Sequence, residues 1–236
     1  MSQPSHPFLL VHADEVPVGD DWLAPSERSV LAALSTPRRR DWRSGRWALK
    51  RLLVDEEHLS RLSVRAADDG CPEVFVGERR LPRRVSITHR GAWAAAVVSA
   101  DGREVGIDLE LVEPRSRRFV QDYFTEAEAA STFRSSDPAA HAVTVWSAKE
   151  SALKCARTGL RRDTRSVEIG LAAPPDDGGS WERLAIRDLE RSLDLDAWAL
   201  RRGPLVMTLA SCPGWSSPAA SWASGLGPSL EPELTL

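Results

Sequence analysis

Between Val85 and Leu111 three strand-like segments follow one another with only short turn signals between them, and this limits the expected folds more than any other feature. Val85-Ser86-Ile87-Thr88-His89 alternates like a strand, Trp93 to Val98 is apolar on both faces, and Glu104 to Leu111 alternates again, with tight turns at Arg90-Gly91 and Asp101-Gly102. Connections this short leave no room for a helical crossover, so a three-stranded antiparallel meander is expected. Asp41 to Val54 places Trp42, Leu49, Leu52 and Leu53 at helical spacing, with Arg46 and Lys50 one turn apart on a common flank. Thr125-Glu126-Ala127-Glu128 has the spacing of a capping box. Asp137-Pro138 starts a helix of about five turns, with Gly159 as its expected stop. Val167 to Leu171, Leu184 to Arg187 and Leu205 to Ala210 then read as antiparallel strands.

Helix and strands therefore occur twice in similar order. The expected fold class is α+β, with two similar halves, residues 1–104 and 105–212, each a small mainly antiparallel sheet with packed helices. Residues 213–236, rich in Ser, Pro, Gly and Ala, read as a loosely docked tail.

Composition excludes several function classes. The 236 residues are 42% hydrophobic and 28% charged with a net charge of −3, which argues against a nucleic-acid partner and makes any anion site local. The longest apolar run, Ala92 to Val98, is too short to cross a membrane, and the N-terminus lacks the pattern of a secretory signal, so a cytoplasmic protein is expected. Cys71, Cys155 and Cys212 are far apart in sequence and are expected as free thiols. Among 31 Lys and Arg residues only Lys50, Lys149 and Lys154 are lysine. Where arginine has otherwise taken over, a retained lysine points to a place that needs a compact charge.

The chemistry is concentrated in two segments. In Glu104-Val105-Gly106-Ile107-Asp108-Leu109-Glu110 the apolar side chains share one face, while Asp108 and Glu110 share the other, about 7 Å apart at their Cα atoms. Alone, the pair would read as the solvated face of an edge strand. In Trp146-Ser147-Ala148-Lys149-Glu150-Ser151-Ala152-Leu153-Lys154 the helical period puts Glu150 between Trp146 and Leu153 on the apolar stripe. Lys154 follows Glu150 by one turn, and Lys149 lies on the other flank. Three carboxylates with two ammonium groups suit a Mg²⁺ ion and a pyrophosphate. His89, followed by Arg90-Gly91, is a candidate anion contact. No Walker phosphate loop, Gly-rich dinucleotide fingerprint or nucleophile elbow occurs in the sequence.

These segments resemble the surfactin-synthetase-activating type of 4′-phosphopantetheinyl transferase. Its Gly-hydrophobic-Asp-hydrophobic-Glu strand corresponds to Gly106-Ile107-Asp108-Leu109-Glu110, and its Trp-x-x-Lys-Glu-x-x-x-Lys helix to Trp146 through Lys154. Gly45-Arg46-Trp47-Ala48-Leu49, Gly70-Cys71-Pro72, Ser86-Ile87-Thr88-His89 and Phe124 to Glu128 resemble the other family elements, so the similarity runs from about Ser26 to Gly159. Cys71 and Arg90 depart from residues common there.

The resemblance implies a pseudo-dimer of the two halves with coenzyme A in the cleft between them. It implies Asp108, Glu110 and Glu150 as Mg²⁺ ligands, with Lys154 on the pyrophosphate and catalytic with Glu150, the candidate base, acting directly or through water. Arg46, Lys50, Thr88, His89, Lys149 and Lys154 are the implied coenzyme A contacts. The acceptor would be a serine of an acyl or peptidyl carrier protein serving fatty acid, polyketide or non-ribosomal peptide assembly, and 3′,5′-ADP would leave. A monomer is expected, since one chain supplies both halves. Two alternatives use the same residues: an idle module binding coenzyme A or a carrier protein, and a metal-dependent nucleotide pyrophosphatase.

Overall fold

The computed structural model describes residues 7–99 and 101–214, and the chain divides into two compact units at Arg103/Glu104. Both are α+β with antiparallel sheets only. The expected tail, residues 213–236, lies outside the described residues except for its first two positions.

In the N-terminal unit, β1 (Phe8–His12), β6 (Trp93–Ser99) and β5 (Arg84–Arg90) form one sheet in the order β1-β6-β5. A second sheet is β2 (Leu62–Ala66), β3 (Pro72–Val76) and β4 (Arg79–Arg80). Helices α1 (Pro25–Ala32) and α2 (Thr36–Arg51) complete the unit. Leu49, Leu52 and Leu53 at the end of α2 are buried with Leu23, Leu59, Leu62 and Val74 in its core.

The C-terminal unit comprises β7 (Val105–Leu111), α3 (Arg117–Tyr123), α4 (Glu126–Arg134), α5 (Pro138–Cys155), β8 (Val167–Gly170), β9 (Glu182–Asp188), β10 (Leu193–Arg202) and β11 (Leu205–Ser211). Its sheet runs β7-β11-β10-β9-β8. The N-terminal unit has two three-stranded sheets and the C-terminal unit one five-stranded sheet, with β1-β6-β5 following the same chain order as β7-β11-β10.

The local signals form as expected. Thr125 Oγ1 accepts from Glu128 N at 3.3 Å while Thr125 N donates to Glu128 Oε2 at 2.7 Å, so α4 starts with both arms of its capping box. Asp137 caps α5 by accepting from Ala140 N at 3.0 Å, with Pro138 in the first turn. The stop differs from the expectation. Arg157 takes a left-handed φ of 59°, Thr158 N donates to Leu153 O and Arg157 N to Lys154 O, so a Schellman turn closes the helix two residues before Gly159.

The meander is a second difference. β5 and β6 pair as a hairpin, with His89 opposite Ala94, but β7 pairs with β11, Asp108 opposite Thr208. A partner nearly a hundred residues downstream leaves no mark in the local pattern. Strand β10, absent from the sequence reading, fills the centre of the five-stranded sheet.

Candidate functional site

Gly106 brings strand and helix together. A Cβ there would come within 1.9 Å of Ser151 O and 2.7 Å of Cys155 N, so the backbones of β7 and α5 meet at a distance only glycine allows. Asp108 and Glu110 follow on the same face of β7. Thr208, directly opposite Asp108, shares a 2.9 Å hydroxyl hydrogen bond with Ser147 of α5. The carboxylate face of β7 therefore looks at the helix, and Asp108 is 3% exposed and Glu110 8%. A solvated edge-strand face is thereby ruled out.

Helix α5 answers with Glu150 and Lys154, one turn apart. Lys154 Nζ lies 2.6 Å from Asp108 Oδ1 and 3.6 Å from Glu150 Oε2, and it donates to Ile107 O at 3.2 Å. Glu110 Oε2 accepts from Arg115 Nη2 at 3.0 Å, and the Arg115 guanidinium lies 5.3 Å from the Phe119 ring centroid. Arg115 was not singled out from sequence. Its signal was weak, one arginine among many in a loop after a strand.

Electrostatics follow from this crowding. Burial, then the charge of Asp108, pushes Glu150 up to about 7; Glu110 and a hydrogen bond with Asp108 add to the rise, and Lys154 opposes it. Burial pulls Lys154 down, but the Asp108 and Glu150 charges outweigh it and hold the ammonium above its ordinary range. Asp108, Glu110 and Glu150 are oxygen donors of the type a hard divalent cation takes, with Lys154 and Arg115 offsetting part of their charge. Among the described residues no three His, Cys, Asp or Glu side chains are gathered tightly enough to hold a metal ion as they stand. Lys154 on Asp108 and Arg115 on Glu110 occupy part of that acidic surface.

Lys149 and Lys50 are not brought to a ligand-accessible site. Each is 0% exposed and paired with a buried glutamate: Lys149 Nζ lies 2.8 Å from Glu128 Oε2, and Lys50 Nζ 2.5 Å from Glu27 Oε2. Each glutamate also accepts from a helix-cap N–H and a strand N–H, Thr125 and Ile169 for Glu128, Ala24 and Val64 for Glu27. The same bracket of helix start, central helix and sheet edge is thus built twice. Two of the three retained lysines serve it, where a compact ammonium fits between carbonyl and carboxylate oxygens.

In the N-terminal unit Arg46 and His89 line one cavity of about 330 Å³ with Arg38, Asp41 and Trp42. The Arg46 guanidinium stacks 3.5 Å from the Trp42 ring centroid, and His89 Nδ1 is 3.7 Å from Asp41 Oδ2. Burial lowers Arg46 to about 10, with Glu27 opposing, so it keeps its charge at neutral pH. Thr88 is buried and, by strand alternation, faces away from Ile87 and His89 in that wall. A cavity of about 600 Å³ between α4 and β8 to β10 contains none of Asp108, Glu110 and Glu150.

No curated protein matches the chain. The span holding the acidic cluster, residues 104–204, does match a family model, and in that span the chain is similar to the 4′-phosphopantetheinyl transferase superfamily.

Proposed function

We propose that this protein transfers the 4′-phosphopantetheine arm of coenzyme A to a serine of an apo acyl or peptidyl carrier protein, with Mg²⁺, in the manner of the surfactin-synthetase-activating type. The observation that carries the reading is the convergence of Asp108, Glu110, Glu150 and Lys154 where β7 meets α5, inside the span similar to the superfamily.

The carrier serine oxygen bonds to the phosphorus bearing the pantetheine arm, the pyrophosphate P–O bond breaks, and 3′,5′-ADP leaves. Glu150, beside Asp108 at the β7–α5 contact, is the proposed acceptor of the serine proton, directly or through a water. Lys154 presents its ammonium to the pyrophosphate while Asp108 orients it. Asp108, Glu110 and Glu150 would hold Mg²⁺, which supplies charge neutralisation at the pyrophosphate. Arg46 and His89 are proposed for the nucleotide end and its 3′-phosphate. Lys50 and Lys149, buried in their ion pairs, are framework residues and are left out of the proposed coenzyme A contacts.

The test is intact-protein mass spectrometry of apo carrier proteins incubated with this protein, coenzyme A and Mg²⁺. The expected result is a gain of one phosphopantetheine arm, abolished by EDTA and reduced at least about 100-fold in Glu150→Gln. No gain with any carrier class while coenzyme A stays intact overturns transfer in favour of a binding module. Hydrolysed coenzyme A without transfer points to the pyrophosphatase.

A further inference from the structure

Cys155 and Cys212 are 57 positions apart in sequence, yet they meet in the C-terminal unit. Cys155 is the last residue of α5, and Cys212 directly follows β11. Both converge on one carbonyl: Cys155 Sγ lies 3.3 Å from Glu104 O, and Cys212 N donates to the same oxygen at 3.3 Å. The two thiols lie close enough to shift one another's ionisation. Cys155 is 2% exposed, whereas Cys212 is half-buried. The third cysteine, Cys71, lies in the other unit, immediately before β3.

We propose that Cys155 and Cys212 are a redox modification site, a dithiol that a hydroperoxide converts reversibly to a disulfide. The division of labour follows from the geometry. Cys212 is the more exposed of the two, while the buried Cys155 thiol donates to Glu104 O. The neighbouring Cys155 thiol lowers Cys212 against burial and the Glu104 charge, with Arg191 assisting. The neighbouring Cys212 thiol, then burial, raises Cys155 well above the ordinary thiol range. Its greater exposure makes Cys212 the attacking sulfur and the buried Cys155 the resolving thiol.

The chemistry balances with one peroxide. The Cys212 thiolate attacks a peroxide oxygen, the O–O bond breaks, and the departing hydroxide takes up a proton to become water. The Cys155 sulfur then attacks the Cys212 sulfenic acid, its thiol proton leaves with the sulfenic oxygen as a second water, and the S–S bond forms. Two thiols lose two electrons and two protons, and one hydrogen peroxide becomes two waters. The cross-link joins α5, which carries Glu150 and Lys154, to the end of β11, the strand paired with β7.

The test uses the full chain, reduced, desalted and treated with hydrogen peroxide. Thiols counted under denaturing conditions should fall from the three cysteines to one, and return to three on addition of dithiothreitol. A non-reducing peptide map should show Cys155 joined to Cys212 with Cys71 free. In Cys155→Ser, or Cys155→Ala if serine fails to fold there, a carbon nucleophile selective for sulfenic acid should add once, at Cys212. In Cys212→Ser, Cys155 should stay unmodified. The proposal is overturned if wild-type Cys212 goes on to sulfinic acid without the disulfide, or if Cys71 oxidises as fast as Cys212. The wild-type map decides without any variant.

Discussion

Lys154 Nζ sits 2.6 Å from Asp108 Oδ1, and this contact joins a helix to a strand that enters the sheet 46 residues earlier. It places an ammonium beside two carboxylates that would otherwise repel each other. Asp108 is nearly fully buried, so the pair cannot be treated as a surface ion pair of negligible weight. Lys154→Ala should cost about 3 kcal/mol, because a buried carboxylate loses its ammonium. Urea unfolding followed by tryptophan fluorescence measures this. Lys154→Arg should retain most of the stability and lose transfer by about tenfold or more, since a planar fork cannot take the place of a compact ammonium between Asp108 and Ile107 O. Undiminished transfer by the arginine variant would remove Lys154 from the proposed chemistry.

Glu150 ties stability to pH. Burial and the Asp108 charge raise its carboxyl from the ordinary 4.5 to about 7 in the folded chain, so between those values the folded state holds a proton that the unfolded state has released. This group's contribution is therefore full below pH 4.5, declines as pH rises through that window, and is lost above about pH 7. Thermal melts without metal should show that decline, and Glu150→Gln should flatten it. A divalent cation binds the ionised carboxylates, so Mg²⁺ should raise the melting temperature more at pH 8 than at pH 5. An equal rise at both values would argue against Glu150 as a ligand.

Gly106 is a packing constraint in the middle of the acidic motif. Gly106→Ala should destabilise by about 3 kcal/mol or more, because the neighbours its Cβ would strike, Ser151 O and Cys155 N, are backbone atoms that cannot rotate away. Differential scanning calorimetry would reveal a lowered transition. A melting temperature matching wild type would mean that α5 and β7 can separate there without cost.

Lys149 offers a contrast between framework and ligand roles. Lys149→Met leaves the Glu128 carboxylate buried without its cation and should cost about 3 to 5 kcal/mol, with the double variant Lys149→Met/Glu128→Gln less damaged than the single costs added together. Chemical denaturation of the four proteins in that cycle measures the coupling. A variant as stable as wild type but weakened in coenzyme A binding would return Lys149 to the ligand set.

Local periodicity and end signals were legible in the amino-acid order alone, because they depend on neighbours within one helical turn or one strand pleat. The Thr125 capping box, the Asp137-Pro138 start, the shared face of Asp108 and Glu110, and the position of Glu150 beside Lys154 belong to this class. Chain folding over longer separations decided the rest. It paired β7 with β11 instead of β6, set Arg115 on Glu110, and sank Lys50 and Lys149 onto Glu27 and Glu128. It also brought Cys155 to Cys212. A lysine on a helix flank reads alike in sequence whether water or a carboxylate awaits it, because what meets that flank is supplied by a segment 20 or more residues away. The residue types were set by the sequence, and the partners that tune their charge were set by packing.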